Sequence, residues 1–121
     1  MAIKTILVVD DSPTERFFLQ ELLAKKNYSV ITAENGEEAV TKAKAEKPDL
    51  ILMDVVMPGL NGFQATRQLS RAPETAHIPI FMCTTKDQET DKIWGVRQGA
   101  KGYLVKPVDA DELLKKIAEL G

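Results

Sequence analysis

The 121-residue sequence predicts an α/β fold, an open doubly wound sheet of parallel strands with helices on both faces. Three observations carry that expectation. Short apolar runs recur along the chain, amphipathic segments of helical period separate them, and helix-start signals head those segments. The runs are Thr5 to Val9, Tyr28 to Thr32, Leu50 to Met53, Ile78 to Cys83 and Tyr103 to Val105. Near-continuous, β-branched stretches of this kind suit strands covered on both faces, as in a parallel sheet.

The helices announce themselves by their caps. Ser12-Pro13-Thr14-Glu15 is a capping box with proline at the first helical position. Asn35-Gly36-Glu37-Glu38, Asn61-Gly62-Phe63-Gln64 and Asp109-Ala110-Asp111-Glu112 repeat the spacing. A further helix over Asp87 to Gln98 closes at Gly99, which completes five strand-helix pairs. On the first helix Phe18, Leu19, Leu22 and Leu23 form the expected buried stripe. Phe17 is left beside Gln20 and Glu21 as a candidate for docking a partner, the plainer alternative being a solitary exposed apolar residue. Trp94 falls one position off the stripe of Ile93, Val96 and Ala100 and is a second docking candidate, at rim or interface. No repeat, linker or low-complexity segment is present.

Bulk properties narrow the function. The length fits a single domain, residues 1–121, big enough to bury about two thirds of its unfolded surface. A net charge of −2 supplies no basic surface, so nucleic acid is not an expected partner. Cys83 is alone, which rules out an internal disulfide and suits a reducing compartment. No apolar run approaches the ~20 residues of a membrane span, and the N-terminal stretch lacks a secretory core, so a cytoplasmic protein is expected.

Right-handed crossovers bring the carboxyl ends of all strands to one rim, where open α/β sheets bind ligands. Asp10 and Asp11 end the first run, Asp54 the third, Thr84 and Thr85 the fourth, and Lys106 the fifth. Carboxylates ~5 Å apart at an effective dielectric near 20 repel by about 3 kcal/mol per pair, which protonates one of them or demands a cation. Oxygen donors without histidine or cysteine suit Mg²⁺, with Mn²⁺ admissible in its place. Lys106 offers a point charge for an anion and Thr84 a hydroxyl donor. Asp54, alone at the end of the central strand, is the natural phosphoryl acceptor, while Asp10 and Asp11 hold the metal. Singly these residues have duller readings, as helix-start acids, a strand-end threonine and a turn lysine; their combination overrides those readings. His77 and Cys83 read as a surface histidine and a small buried hydrophobe.

With Asp10 and Asp11 after the first strand, Asp54 after the third, and Thr84 and Lys106 at 30 and 52 residues beyond Asp54, the chain resembles a response-regulator receiver domain of the chemotaxis type over essentially its whole length. The resemblance implies a flavodoxin-like (βα)5 three-layer sandwich with strand order 2-1-3-4-5. It implies Mg²⁺ held by the side chains of Asp11 and Asp54, by Asp10 through water and by the carbonyl of Val56. It also implies a cis bond between Lys106 and Pro107, and Thr84 and Tyr103 as switch residues. Asp54 would take its phosphoryl group from a histidine kinase or phosphotransfer domain, and the surface of the helix over Asp87 to Gln98, the run Tyr103 to Val105 and the helix that starts at Asp109 would read out the change. Val56 and Lys86 stand where this family tunes phosphate lifetime.

The stretches "MDVVMPGLNGFQATRQLS" and "TTKDQETDKIWGVRQGAKGYLVKPVD" resemble the stand-alone receivers that govern type IV pilus twitching. Such a protein acts on a downstream motility protein or drains phosphate from a sister receiver, as a signalling protein whose only catalysis is on itself. It is expected as a monomer, with dimerisation on phosphorylation left open. The rivals are a flagellar-type chemotaxis receiver, a metal-dependent aspartyl-phosphate phosphohydrolase, a flavin or nucleotide carrier, and a receiver-shaped module that never accepts phosphate. The phosphohydrolase is disfavoured because Ser12 stands where its second acid belongs, the carrier because the first loop presents carboxylates in place of a phosphate cradle, and the last because the acceptor set is intact.

Overall fold

Successive side chains of a strand point to opposite faces, and in this chain both sets are apolar, so helices must cover the sheet on both sides. The computed structural model describes residues 3–55, 57, 59–84, 99–106 and 108–120, without the side chain of Thr84. Among those residues the elements run β1 (Thr5–Val9), α1 (Pro13–Ala24), β2 (Ser29–Ala33), α2 (Gly36–Glu46), β3 (Leu50–Asp54), α3 (Gly62–Arg71), β4 (Ile80–Thr84), β5 (Gly102–Val105) and α4 (Ala110–Leu120). All strands are parallel, in the order β2-β1-β3-β4-β5. The doubly wound class and the strand order are as expected. The helix predicted over 87–98 lies outside the described residues.

Two apolar layers follow from the alternation. Leu7, Val9, Ile51, Met53, Ile80 and Met82 face Ala39 and Ala43 of α2 and Ala65 and Leu69 of α3. Ile6, Val8, Leu50, Leu52, Phe81, Cys83 and Leu104 face Leu19 and Leu23 of α1 and Leu113 and Ile117 of α4. A slip of one residue in any strand would exchange its contributions to the two layers, so the register is tightly specified.

The expected cap acceptors all form, but the box expected at Ser12 is half made, because the Ser12 amide donates to Asp10 Oδ1 and not to Glu15. Ser12 Oγ accepts from the Glu15 amide at 3.3 Å, Asn35 Oδ1 from Glu38 at 2.8 Å, and Asp109 Oδ1 from Glu112 at 3.0 Å. At α3 the box closes in both directions, with Asn61 Oδ1 accepting from the Gln64 amide and Gln64 Oε1 from the Asn61 amide. Two strands begin later than their apolar runs. Tyr28 is spent on α1, its amide donating to the Leu23 carbonyl at 3.2 Å, so β2 starts at Ser29. Ile78 donates to Thr75 within a turn and Pro79 has no amide to donate, so β4 starts at Ile80.

Phe18 does not join the buried stripe: it is 45% exposed, beside Phe17 at 64%. At 100° per residue the buried arc of α1 centres between Leu19 and Leu23, with Leu22 at its edge, and Phe18 lies one step beyond. Among the described residues no helix is long and apolar enough to cross a membrane.

At the amino-terminal edge of the sheet, Asp49 Oδ2 accepts from the amides of Lys4 and Thr5, each at 2.9 Å, and these hydrogen bonds hold its carboxyl below the usual range. A lowered pKa contributes stability that is complete above the unfolded value near 4 and is lost as pH falls through the folded value. Asp49→Asn should therefore unfold about 1 kcal/mol more easily at pH 7. Denaturant melts as a function of pH should show the two proteins converging below pH 4; a constant gap would disprove the linkage.

Candidate functional site

The pairing register places the site. Val9 of β1 lies beside Met53 of β3, so Asp10 and Asp54 leave the sheet as neighbours. Asp54 pairs with Cys83 of β4, and Thr84 pairs with Val105 of β5, immediately before Lys106. Lys106 must therefore reach across the end of β4 to meet β3, which its long stem allows. The end of β3 is pinned on its other side by α3. A Cβ at Gly62 would run into the Asp54 carbonyl, and the Gly62 amide donates to the Val55 carbonyl at 3.0 Å.

Lys106 Nζ stands 2.6 Å from Asp10 Oδ2 and 3.1 Å from Asp54 Oδ1. Both carboxylates are buried, and Asp11 beside them is exposed. Oxygens of Asp10, Asp11 and Asp54 all lie within 4.8 Å of one another. Asp10 is fully engaged, because its Oδ1 also accepts from the Ser12 amide at 2.9 Å. The oxygen-only donor set fits a hard divalent cation, reached directly or through water.

Charge balance explains the protonation behaviour. Burial, then the nearby charge of Asp10, pushes the Asp54 carboxyl up to about 6, against the pull of Lys106. Burial also disfavours the ammonium of Lys106, but its hydrogen bonds to Asp10 and Asp54 outweigh this and leave its pKa raised. One ammonium cannot neutralise three carboxylates, so the pocket is poised to gain a cation. Cys83 is held inert: burial pushes its thiol up to about 12, consistent with a small core residue.

Asp10, Asp11, Asp54 and Lys106 are thus brought together as the strand ends predict. Thr84 ends β4 beside them, its side chain outside the description. Val56, Lys86, Trp94 and Pro107 also lie outside the described residues. Tyr103 sits on β5, half-buried, against the layer that contains Met82. Phe17 is on the exposed face of α1, as expected, and Phe18 with Thr14, Glu15 and Val108 lines a groove of about 240 Å³. His77 is exposed at the opposite edge of the sheet, where it lines a cavity of about 230 Å³ with Asp49 and Pro79 that shares no residue with the acidic cluster.

One contact at the site has no motif to announce it. Arg16 Nη1 donates to the Asp10 carbonyl at 2.7 Å, and Nη2 pairs with Glu34 Oε1 at 3.3 Å. The available signal was electrostatic: a cation near the start of a helix opposes the dipole, and so calls for an anionic neighbour.

Comparison with known proteins places the whole fold among relatives. The family model for the response regulator receiver domain matches residues 6–118. Protein PilH of Pseudomonas aeruginosa is 62% identical over 112 residues, 93% of each chain. Chemotaxis protein CheY of Bacillus subtilis is 37% identical over 113 residues, 93% of this chain and 92% of that one. Among solved structures, Vibrio cholerae chemotaxis protein CheY4 superposes with a TM-score of 0.91 at 36% identity, covering 98% of both chains. A match that runs from β1 into α4, through every strand that shapes the acidic rim, leaves a single family open, and the chain belongs to the response regulator receiver domains, the phosphoryl-accepting modules of two-component signalling.

Proposed function

We propose that Asp54 is the phosphoacceptor of a single-domain response regulator, residues 1–121, that works in the cytoplasm and is switched by a histidine kinase or phosphotransfer domain. The observation that carries this reading is the convergence of Asp10, Asp11 and Asp54 within 4.8 Å, with the Lys106 ammonium 3.1 Å from the acceptor. A bound Mg²⁺, held by Asp11 and Asp54, by Asp10 through water and by the Val56 carbonyl, would offset charge on the phosphoryl oxygens.

The chain's own groups do the rest. An Asp54 oxygen bonds to phosphorus as the donor's phosphorus–nitrogen bond breaks, and that electron pair returns to the donor imidazole. Lys106 is already aimed at Asp54 and pairs with the new phosphoryl group, exchanging one anionic partner for a larger one. Thr84 supplies a hydroxyl to the same group, and Tyr103 turns its ring toward the core. The surface of β5 and α4 then presents the changed state. Resemblance to twitching-motility receivers, with Protein PilH 62% identical to this chain, extends the proposal to control of type IV pili through a downstream motility protein. Phe17, with Phe18 now beside it, offers an apolar patch for the donor, and Trp94 is a second docking residue.

Three outcomes test these proposals. Acetyl phosphate with Mg²⁺ should add one phosphate by intact-mass spectrometry and none to Asp54→Asn or in EDTA; retained labelling of the variant would displace Asp54 as acceptor.

A raised carboxyl pKa destabilises the fold at neutral pH and ceases to do so as pH falls through about 6 toward 4. In EDTA at pH 7, Asp54→Asn should thus melt higher than the natural protein, by about 1–3 kcal/mol of stability. That gap should narrow as pH falls through about 6; an equal or lower melting temperature at pH 7 would contradict the charge account.

Phe17→Ala with Phe18→Ala should slow phosphotransfer from a cognate kinase about ten-fold while labelling by acetyl phosphate is unchanged. Equal transfer rates would remove the patch from the donor interface.

A further inference from the structure

Arg16 holds an unusual place. It lies in the first turns of α1, where the helix dipole disfavours a cation, yet its side chain is only 15% exposed and both arms of its guanidinium are used. Nη1 donates to the main-chain carbonyl of Asp10 at 2.7 Å, while Nη2 meets Glu34 at the end of β2 at 3.3 Å. The Asp10 amide donates to the Ala33 carbonyl at 3.1 Å, one residue before Glu34. The acidic turn after β1 is therefore tied to the end of β2 twice, once by its own backbone and once through Arg16.

From these contacts we infer that Arg16 is a positioning residue for the cation seat. It fixes the main chain of the Asp10–Asp11 turn relative to Asp54, so that exposed Asp11 converges with two buried carboxylates instead of swinging into solvent. This rests on the reading of Asp10, Asp11 and Asp54 as a cation seat. Its chemistry is that of an outer layer of hydrogen bonds orienting ligands, which act through geometry. A bare positive charge at the same place would do the opposite, since it would repel an incoming cation. The sign of the effect therefore separates the two roles. The planar fork is also needed, because an ammonium is a point charge and cannot span the Asp10 carbonyl and Glu34 in fixed geometry.

The test is calorimetric titration of the full, unphosphorylated chain with MgCl₂, beside thermal melts in EDTA. Arg16→Ala should bind Mg²⁺ about ten-fold more weakly. Arg16→Lys, which retains the charge and is the milder change should the alanine protein fail to fold, should also bind several-fold more weakly. Asp49→Asn, at the far edge of the sheet, should lose stability and keep the natural affinity, which separates positioning from general loosening. Tighter or unchanged binding in Arg16→Ala, or full natural affinity in Arg16→Lys, would overturn the inference while the seat itself stands. Absence of Mg²⁺ binding by the natural protein would remove the seat and the inference together.

Discussion

The bond between the Lys106 ammonium and the carboxylates of Asp10 and Asp54 is the interaction on which the rest depends. Two carboxylates buried at adjacent strand ends would repel strongly if left alone, and one would be driven to protonate. Lys106 reduces that cost and, by reaching across β4, ties the far strand of the sheet to its centre. It does not remove the cost. Asp11 adds another negative group at the mouth, so the pocket keeps an excess of negative charge, and Asp54 is pushed up to about 6 by burial first and by Asp10 second. The native state is thus least comfortable at this pocket, and a cation there would offset the excess charge.

The two edges of the sheet make the point by contrast. Asp49 stands before β3 and Asp54 ends it, five residues apart on the same segment. Asp49 is satisfied by two backbone amides, which favour its ionised form and staple the start of the sheet. Asp54 is buried among other charges, which disfavours its ionised form. At the amino-terminal edge hydrogen bonds favour the charge, and at the carboxyl-terminal edge burial and like charge oppose it.

Around that pocket the backbone is restrained from several sides. Gly62 admits α3 against the Asp54 carbonyl, the Ser12 amide occupies one oxygen of Asp10, and Arg16 holds the Asp10 carbonyl to Glu34. Cys83, adjacent to Asp54 across the ladder, contributes only volume, its thiol too buried to ionise. Positioning therefore falls to small residues and main-chain contacts, and the reactive groups are left to face one another.

The apolar runs, the capping spacings and the acidic and basic residues after them were legible because they are local: a strand buried on both faces needs a continuous apolar run, and a helix start needs a side-chain acceptor at a set distance. Those rules located β1, β3 and all four described caps, and the family resemblance then implied the strand order. Local rules failed where a choice depended on a neighbour. Tyr28 and Ile78 are apolar enough for strands, but their amides are claimed by the preceding turn, and Phe18 suits the stripe of α1 but lies beyond its buried arc. The sequence by itself determined which chemistry-bearing residues stand at strand ends. Only the tertiary structure decided that Lys106 spans to Asp54, that Asp54 rises while Asp49 falls, and that Arg16 grips the acidic turn, because distance, burial and dielectric belong to the assembled sheet and not to any segment of chain.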